Sequence, residues 1–190
     1  MVTKDYLIIK TLNDFNKALK HIQLSEYLAF DTETTGLNVR KDKIIGYSFT
    51  GEIGKGFYMP LYYYDPLKKE LLRHPVNDFV DHQELLFELA KKDLLMWNAS
   101  FDIRIVKNNF GLNLISPLLA DIMLMKHTVE EDGDFSLKKV AIQYQDQIGL
   151  DAEKAANEEQ IKLKESIEKN GGVANKSNYE LYKADLHDIG

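Results

Sequence analysis

The chain has 190 residues, 44% of them hydrophobic and 28% charged, with a net charge of -6 and no cysteine. That length and balance suit one soluble globular domain with its own core, exclude disulfide and thiolate chemistry, and steer any metal toward magnesium or manganese on oxygen ligands. They also argue against a broad basic face that grips nucleic acid through phosphates alone, though not against nucleic acid held through metal ions.

In chain order, Leu12, Phe15, Leu19 and Ile22 lie on one helical stripe behind a Thr11/Asp14 capping pair, which predicts an amphipathic helix over 11–22. Tyr27–Phe30, "KIIGYSFTG" and "GFYMPLYYY" read as three strands with short connections, hence an antiparallel meander. A helix is expected over Phe79–Ala90, a buried strand at "LLMW", and a helix at "SFDIRIVKNNF" ended by Gly111. Leu118, Ile122, Met125 and Val129 form a further helical stripe, as do Leu137, Val140, Ala141 and Tyr144. From 146 to 178 the text turns charged, with a Gly-Gly pair after a solvated helix, and reads as an inserted helix and loop within a single domain spanning 1–190. No run of about 18 apolar residues is present to span a bilayer, and "MVTKDYLIIKTLNDF" lacks the apolar region of a signal peptide. The expectation is a cytoplasmic protein with no membrane partner.

Two acids stand out in "LAFDTETTGL". Strand side chains alternate, so Asp31 and Glu33 project to one side, one pleat apart. Like charges so placed raise each other's pKa and disfavour folding unless a cation lies between them. Acid-x-acid pairs are common, however: 30 acidic residues in 190 give roughly five by chance, and the plainer reading is a solvated strand end. In "WNASFD", Asp102 sits about one turn into a helix and shares a face with Ile105 and Val106, so it points inward. A buried carboxylate is expensive without a partner and also asks for a cation; the plainer reading is an acid that stabilises the first turn. Asn98 is placed to cap that helix, to hold substrate, or both. The five histidines fall at no metal-binding spacing, and there is no Gly-rich phosphate loop.

The order of "DTETTGL" and then "NASFD" resembles the first two exonuclease motifs of the DnaQ-like, DEDD-type 3'-5' exonucleases. The neighbouring "IIGYSFT", "GFYMPL", "LLADIMLMKH" and "SLKKVA" look most like the proofreading domain of family A, polymerase-I-like DNA polymerases, over 27–144. The resemblance implies an α/β fold, an RNase H-like mixed β-sheet flanked by helices with a helical C-terminal half. It implies two Mg2+ or Mn2+ ions, release of nucleoside monophosphates from a single-stranded DNA 3' end, and a covalently following polymerase domain. By the same likeness Asp31 bridges the two metals, Glu33 binds the ion on the nucleophile side and helps position water, and Asp102 binds the second ion. Thr32 offers its backbone to the terminal nucleotide, Leu37 wedges against the terminal base, and Asn98 and Phe101 line the path of the strand.

The sequence departs from that family in its fourth acid, carried elsewhere as Tyr-x-x-x-Asp on a late helix. Tyr179 is followed four residues on by Lys183, and Tyr182 by Asp185 at three and Asp188 at six. The expectation is a fragment cut shortly before its catalytic tyrosine and last aspartate, with weak or no activity. Asp121 is read as a structural hydrogen-bond acceptor rather than a substitute ligand, and Asp185 and Asp188 have no spacing to recommend them. Two other functions stay open: a non-catalytic module that binds single-stranded 3' ends by stacking, and an exoribonuclease of the same superfamily; Tyr62, Tyr63 and Tyr64 are stacking candidates in either case, the plainer reading being core or partner surface.

Overall fold

The structure is a computed structural model that describes residues 5–130, 133, 135–144, 152–175 and 178–185. Its centre is a six-stranded mixed sheet. In chain order the elements are β1 (Asp5–Ile8), α1 (Leu12–Leu24), β2 (Tyr27–Thr34), β3 (Ile44–Thr50), β4 (Lys55–Pro60), β5 (Tyr62–Asp65), β6 (Glu70–Arg73), α2 (His82–Leu89), β7 (Asp93–Met96), α3 (Ala99–Phe110), β8 (Leu118–Asp121), α4 (Ile122–Val129), α5 (Leu137–Gln143) and α6 (Ala152–Lys169). Strand order is β1-β4-β3-β2-β7-β8; β3 runs against β2 and β4, while β1–β4, β2–β7 and β7–β8 are parallel. β5 and β6 form a separate antiparallel hairpin.

Register sorts the sheet into two faces. Phe30, Phe49 and Phe57 stand opposite one another, as do Thr32, Tyr47 and Met59, and with Leu28 they make one face. That face joins Phe15, Ala18 and Ile22 of α1, Leu85, Leu86 and Leu89 of α2 and Ile105 and Val106 of α3 in the main core. Ala29, Asp31, Glu33, Gly46, Ser48 and Tyr58 fall on the opposite face. A largely apolar cavity of about 630 Å3 lies there, bordered by Leu137, Val140 and Ala141 of α5 and by Tyr144, which follows it. The alternation of β2 thus sends Leu28 and Phe30 into the core and Asp31 and Glu33 away from it.

The meander, the capped first helix and the mixed sheet flanked by helices are borne out. Thr11 and Asp14 form the reciprocal capping box: the Asp14 amide donates to Thr11 Oγ1 at 3.1 Å, and the Thr11 amide donates to Asp14 Oδ2 at 3.0 Å. α3 ends as expected at Gly111, whose φ of 72° lies in the left-handed region that glycine adopts without a Cβ penalty. Other boundaries differ. "GFYMPLYYY" is two strands, because the chain turns at Leu61 and leaves the sheet. The helix expected from Phe79 begins only at His82, where Asp81 accepts from the Gln83 amide and so sets the start. Leu118–Asp121, read as helix, is strand β8 paired with β7, and Leu124, Met125 and Val129 of α4 are exposed. The charged 146–178 stretch contains α6, which buries Ser166 and Ile167, and α5 reaches it through Lys138, whose Nζ donates to Asn157 and Gln160 at 3.1 Å each. Leu181–Lys183, close to where the family's third motif would fall, is a short 3-10 turn, and Asp188 lies outside the described residues.

Candidate active site

β2 delivers two of the acids and α3 the third. β7 pairs with β2 only as far as Ala29–Leu95 and ends at Met96, so beyond that point β2 has a free edge. Asp102, 3% exposed, fills the vacated hydrogen-bonding position: its Oδ1 accepts from the Thr32 amide at 3.0 Å and from Thr32 Oγ1 at 2.6 Å. Two donors on one carboxylate oxygen fix its orientation and stabilise the ionised form. The sequence signal for this was only Asp102's inward position; the free edge of β2 is a product of non-local pairing. The Thr32 amide and hydroxyl are thus both engaged by Asp102.

Asp31 and Glu33 stand on the same face, as their spacing demands. Surrounding protein and then the charge of Asp102 push the Asp31 carboxyl up to about 6, even though its side chain stays open to solvent at the mouth of the site. Burial, then Asp31, then Asp102 push Glu33 up to about 7. Asp102 is raised by burial and by Asp121, against the opposing pull of its Thr32 bonds. All three acids therefore resist ionisation together, and each is near enough to feel another. Among the described residues no three histidine or acidic side chains already form a metal cage. The donor set nonetheless fits a hard divalent cation: three carboxylates, no sulfur, and a repulsion that a bound cation relieves in place of protons.

Neighbours shape this cluster. Glu33 pairs across the sheet with Gly46, and a Cβ at Gly46 would fall 2.0 Å from the Tyr58 hydroxyl. The missing side chain lets the Tyr58 ring lie across β3 next to Glu33, whose charge, after burial, raises the phenol well above its ordinary pKa. The sequence analysis missed Tyr58; a glycine inside an otherwise apolar strand was the available signal. Tyr179, from the segment after α6, also feels the Glu33 charge.

Asp121 takes the structural role expected of it, at two helices at once. Its carboxylate accepts from the amides of Asn98 and Ala99, at 3.1 and 2.8 Å, and from those of Met123 and Leu124, at 3.1 and 3.4 Å. It thus serves the N-terminus of α3 as well as that of its own helix α4. Asn98 itself is left-handed, with φ 57° and ψ 49°, and makes no side-chain cap, so the capping expected of it is done by Asp121. Asn98 is exposed at the rim, and Phe101 packs half-buried against the core. Leu37 is 88% exposed on the loop after β2. That loop is ordered by Asp42, which accepts from the Asn38 amide at 2.7 Å and Thr35 Oγ1 at 3.1 Å.

Comparison with known proteins agrees with this arrangement. The 3'-5' exonuclease family model, DNA_pol_A_exo1, matches residues 6–169. DNA polymerase I of Borreliella burgdorferi is 28% identical over 170 residues, 90% of this chain and 17% of that protein. DNA polymerase I of Pseudomonas aeruginosa is 28% identical over 127 residues, 66% of this chain and 14% of that protein. The chain therefore spans about a sixth of the length of the curated relatives it matches. Among solved structures, Escherichia coli RNase D, an exoribonuclease, shares the fold with a TM-score of 0.54 at 12% identity, covering 74% of this chain and 33% of that one. No helix among the described residues is long and apolar enough to cross a membrane. With the family model running from β1 to the last residue of α6 and taking in all three acids, the chain belongs to the 3'-5' exonuclease family.

Proposed function

We propose that this domain removes nucleoside monophosphates from single-stranded DNA 3' ends, with Asp31, Glu33 and Asp102 holding two divalent cations, magnesium or manganese. The observation that carries the reading is that Asp31 and Glu33 stand on one face of β2 while Asp102 is tied to the free edge of the same strand, through the amide and hydroxyl of Thr32. Bound divalent ions supply a nucleophile at neutral pH and neutralise charge developing on the phosphodiester. The chain's own contribution is positioning. Thr32 holds Asp102 in one rotamer, Gly46 and Tyr58 wall Glu33, and Asp121 anchors the helix that carries Asp102. Glu33, on the nucleophile side by the family likeness, would help position the attacking water.

DNA is preferred to RNA as substrate because the curated relatives are DNA polymerases, and proofreading in cis with a polymerase domain follows from the same likeness. The cytoplasmic placement rests on that role. By the family likeness Thr32 contacts the terminal nucleotide through its backbone, Leu37, on the loop after β2, wedges against the terminal base, and Asn98 and Phe101, at the start of α3, line the strand's path. The test is a 5'-labelled single-stranded DNA in manganese, beside a matched RNA and the Asp31→Ala variant. With no fourth acid at the family's spacing, the expected result is a slow ladder shortening from the 3' end of the DNA that the variant abolishes. A strand bound but left whole by the unaltered chain contradicts the reading and selects the binding module, and faster shortening of RNA selects the exoribonuclease.

A further inference from the structure

The three acids are not equally held. Asp102 Oδ1 accepts two hydrogen bonds from Thr32, whereas the carboxylates of Asp31 and Glu33 accept none from the described residues. A glutamate has one more rotatable bond than an aspartate, so Glu33 has the most side-chain freedom to lose in becoming a ligand. Carboxylates that bind a metal are themselves held by hydrogen bonds, which set their orientation. Glu33 therefore calls for a donor within reach.

The register of the sheet supplies one. Asp31, Ser48 and Tyr58 stand opposite one another on β2, β3 and β4, and Glu33 stands opposite Gly46 on the same face. The Tyr58 ring lies along β3 from the level of Asp31 to that of Glu33, because its hydroxyl takes the space that a side chain at position 46 would fill. Paired residues of an antiparallel ladder hold their Cβ positions about 5 Å apart, a gap short enough for a glutamate side chain to bridge. The hydroxyl makes no hydrogen bond among the described residues, and Tyr58 and Glu33 border one cavity, of about 670 Å3. Burial and then the Glu33 charge hold the phenol well above its ordinary pKa, so it stays a donor. Tyr179, the other phenol that feels Glu33, is 44% exposed on the segment after α6. We propose that Tyr58 is a positioning residue for the cation site, its hydroxyl donating to the Glu33 carboxylate and fixing the rotamer in which Glu33 serves as a ligand. The proposal rests on the exonuclease reading, which makes Glu33 a ligand, and adds the residue that aims it. Gly46 then has a part in the site as well, since its missing side chain is what lets a phenol from β4 reach an acid on β2.

The test titrates manganese into the full chain, Tyr58→Phe, Glu33→Gln and the double variant, followed by calorimetry and by ultraviolet difference absorption. Tyr58→Phe keeps the ring and removes only the hydroxyl. The expected loss is about tenfold in manganese affinity, and no further loss when Glu33 is already Gln. A phenol that donates to a carboxylate absorbs at longer wavelength, so the parent should show a manganese-dependent red shift of its tyrosine band that Tyr58→Phe abolishes. A change in Tm alone, with affinity and red shift unaltered, overturns the proposal and leaves Tyr58 as a wall of the site. A loss that adds in full to that of Glu33→Gln overturns it too, as does a red shift that survives Tyr58→Phe and disappears in Tyr179→Phe. In each of these cases the exonuclease reading stands; a parent chain that binds no manganese overturns both.

Discussion

Thr32 is the residue on which the geometry of the acids turns. It offers amide and hydroxyl to the same oxygen of Asp102, and the hydroxyl bond, at 2.6 Å, is the shorter. Thr32→Val keeps the shape and removes only that bond. The expected outcome is a roughly 10- to 100-fold loss of manganese affinity or of exonuclease rate, as for other residues that orient a ligand, with a smaller change in Tm. A variant with unaltered affinity and rate would show that the amide alone positions Asp102. Glu33 provides a pH test. Its folded pKa of about 7 lies above its unfolded value, so between roughly pH 4.5 and 7 the native state binds more protons than the unfolded one, and stability falls as pH rises through that window. Glu33→Gln removes the penalty. In chelator the variant should match the parent at pH 4 and exceed it at pH 8, by about 1 kcal/mol once solvent screening is allowed for, read as Tm.

At the scale of elements, Asp121 and Gly46 carry the account. One carboxylate anchors the starts of both α3 and α4, so Asp121→Ala should cost about 2 kcal/mol, more than a single lost cap, and lower activity through a displaced Asp102. Thermal melts and rates measured together check this; loss of rate without loss of stability would make Asp121 a ligand instead. Gly46→Ala drives a methyl into the Tyr58 phenol and should destabilise by about 1–3 kcal/mol while opening the Glu33 wall, which melts again report. Elements with strong local signals were legible in the sequence: the Thr11/Asp14 box, the Gly111 stop and the alternating β2. Those made by distant pairing were not. β8 hid inside a pattern where Leu118, Ile122 and Met125 recur at helical spacing, and it is a strand only because β7 lies next to it. β1 is four residues long and pairs with a strand that begins about fifty residues later.

For the molecule as a whole, the sheet divides the work. The face holding Phe30, Tyr47 and Met59 builds the core with α1, α2 and α3, and the other holds Asp31 and Glu33. That division is why the three acids could be picked out from the sequence: two follow from strand period and the third from helix period, each local. Their partners could not, since Thr32–Asp102 and Asp121–Ala99 span 70 and 22 residues. The central claim is that Asp31, Glu33 and Asp102 act as one cation-binding unit. It is tested most directly by titrating the chain with manganese in a calorimeter at pH 6, in two buffers of different ionisation enthalpy, beside Asp31→Asn, Glu33→Gln and Asp102→Asn. The account predicts binding coupled to proton release, since Glu33 is largely protonated and Asp31 about half so at that pH, with binding weakened in every variant. Binding without proton release, or unchanged by all three substitutions, would contradict it.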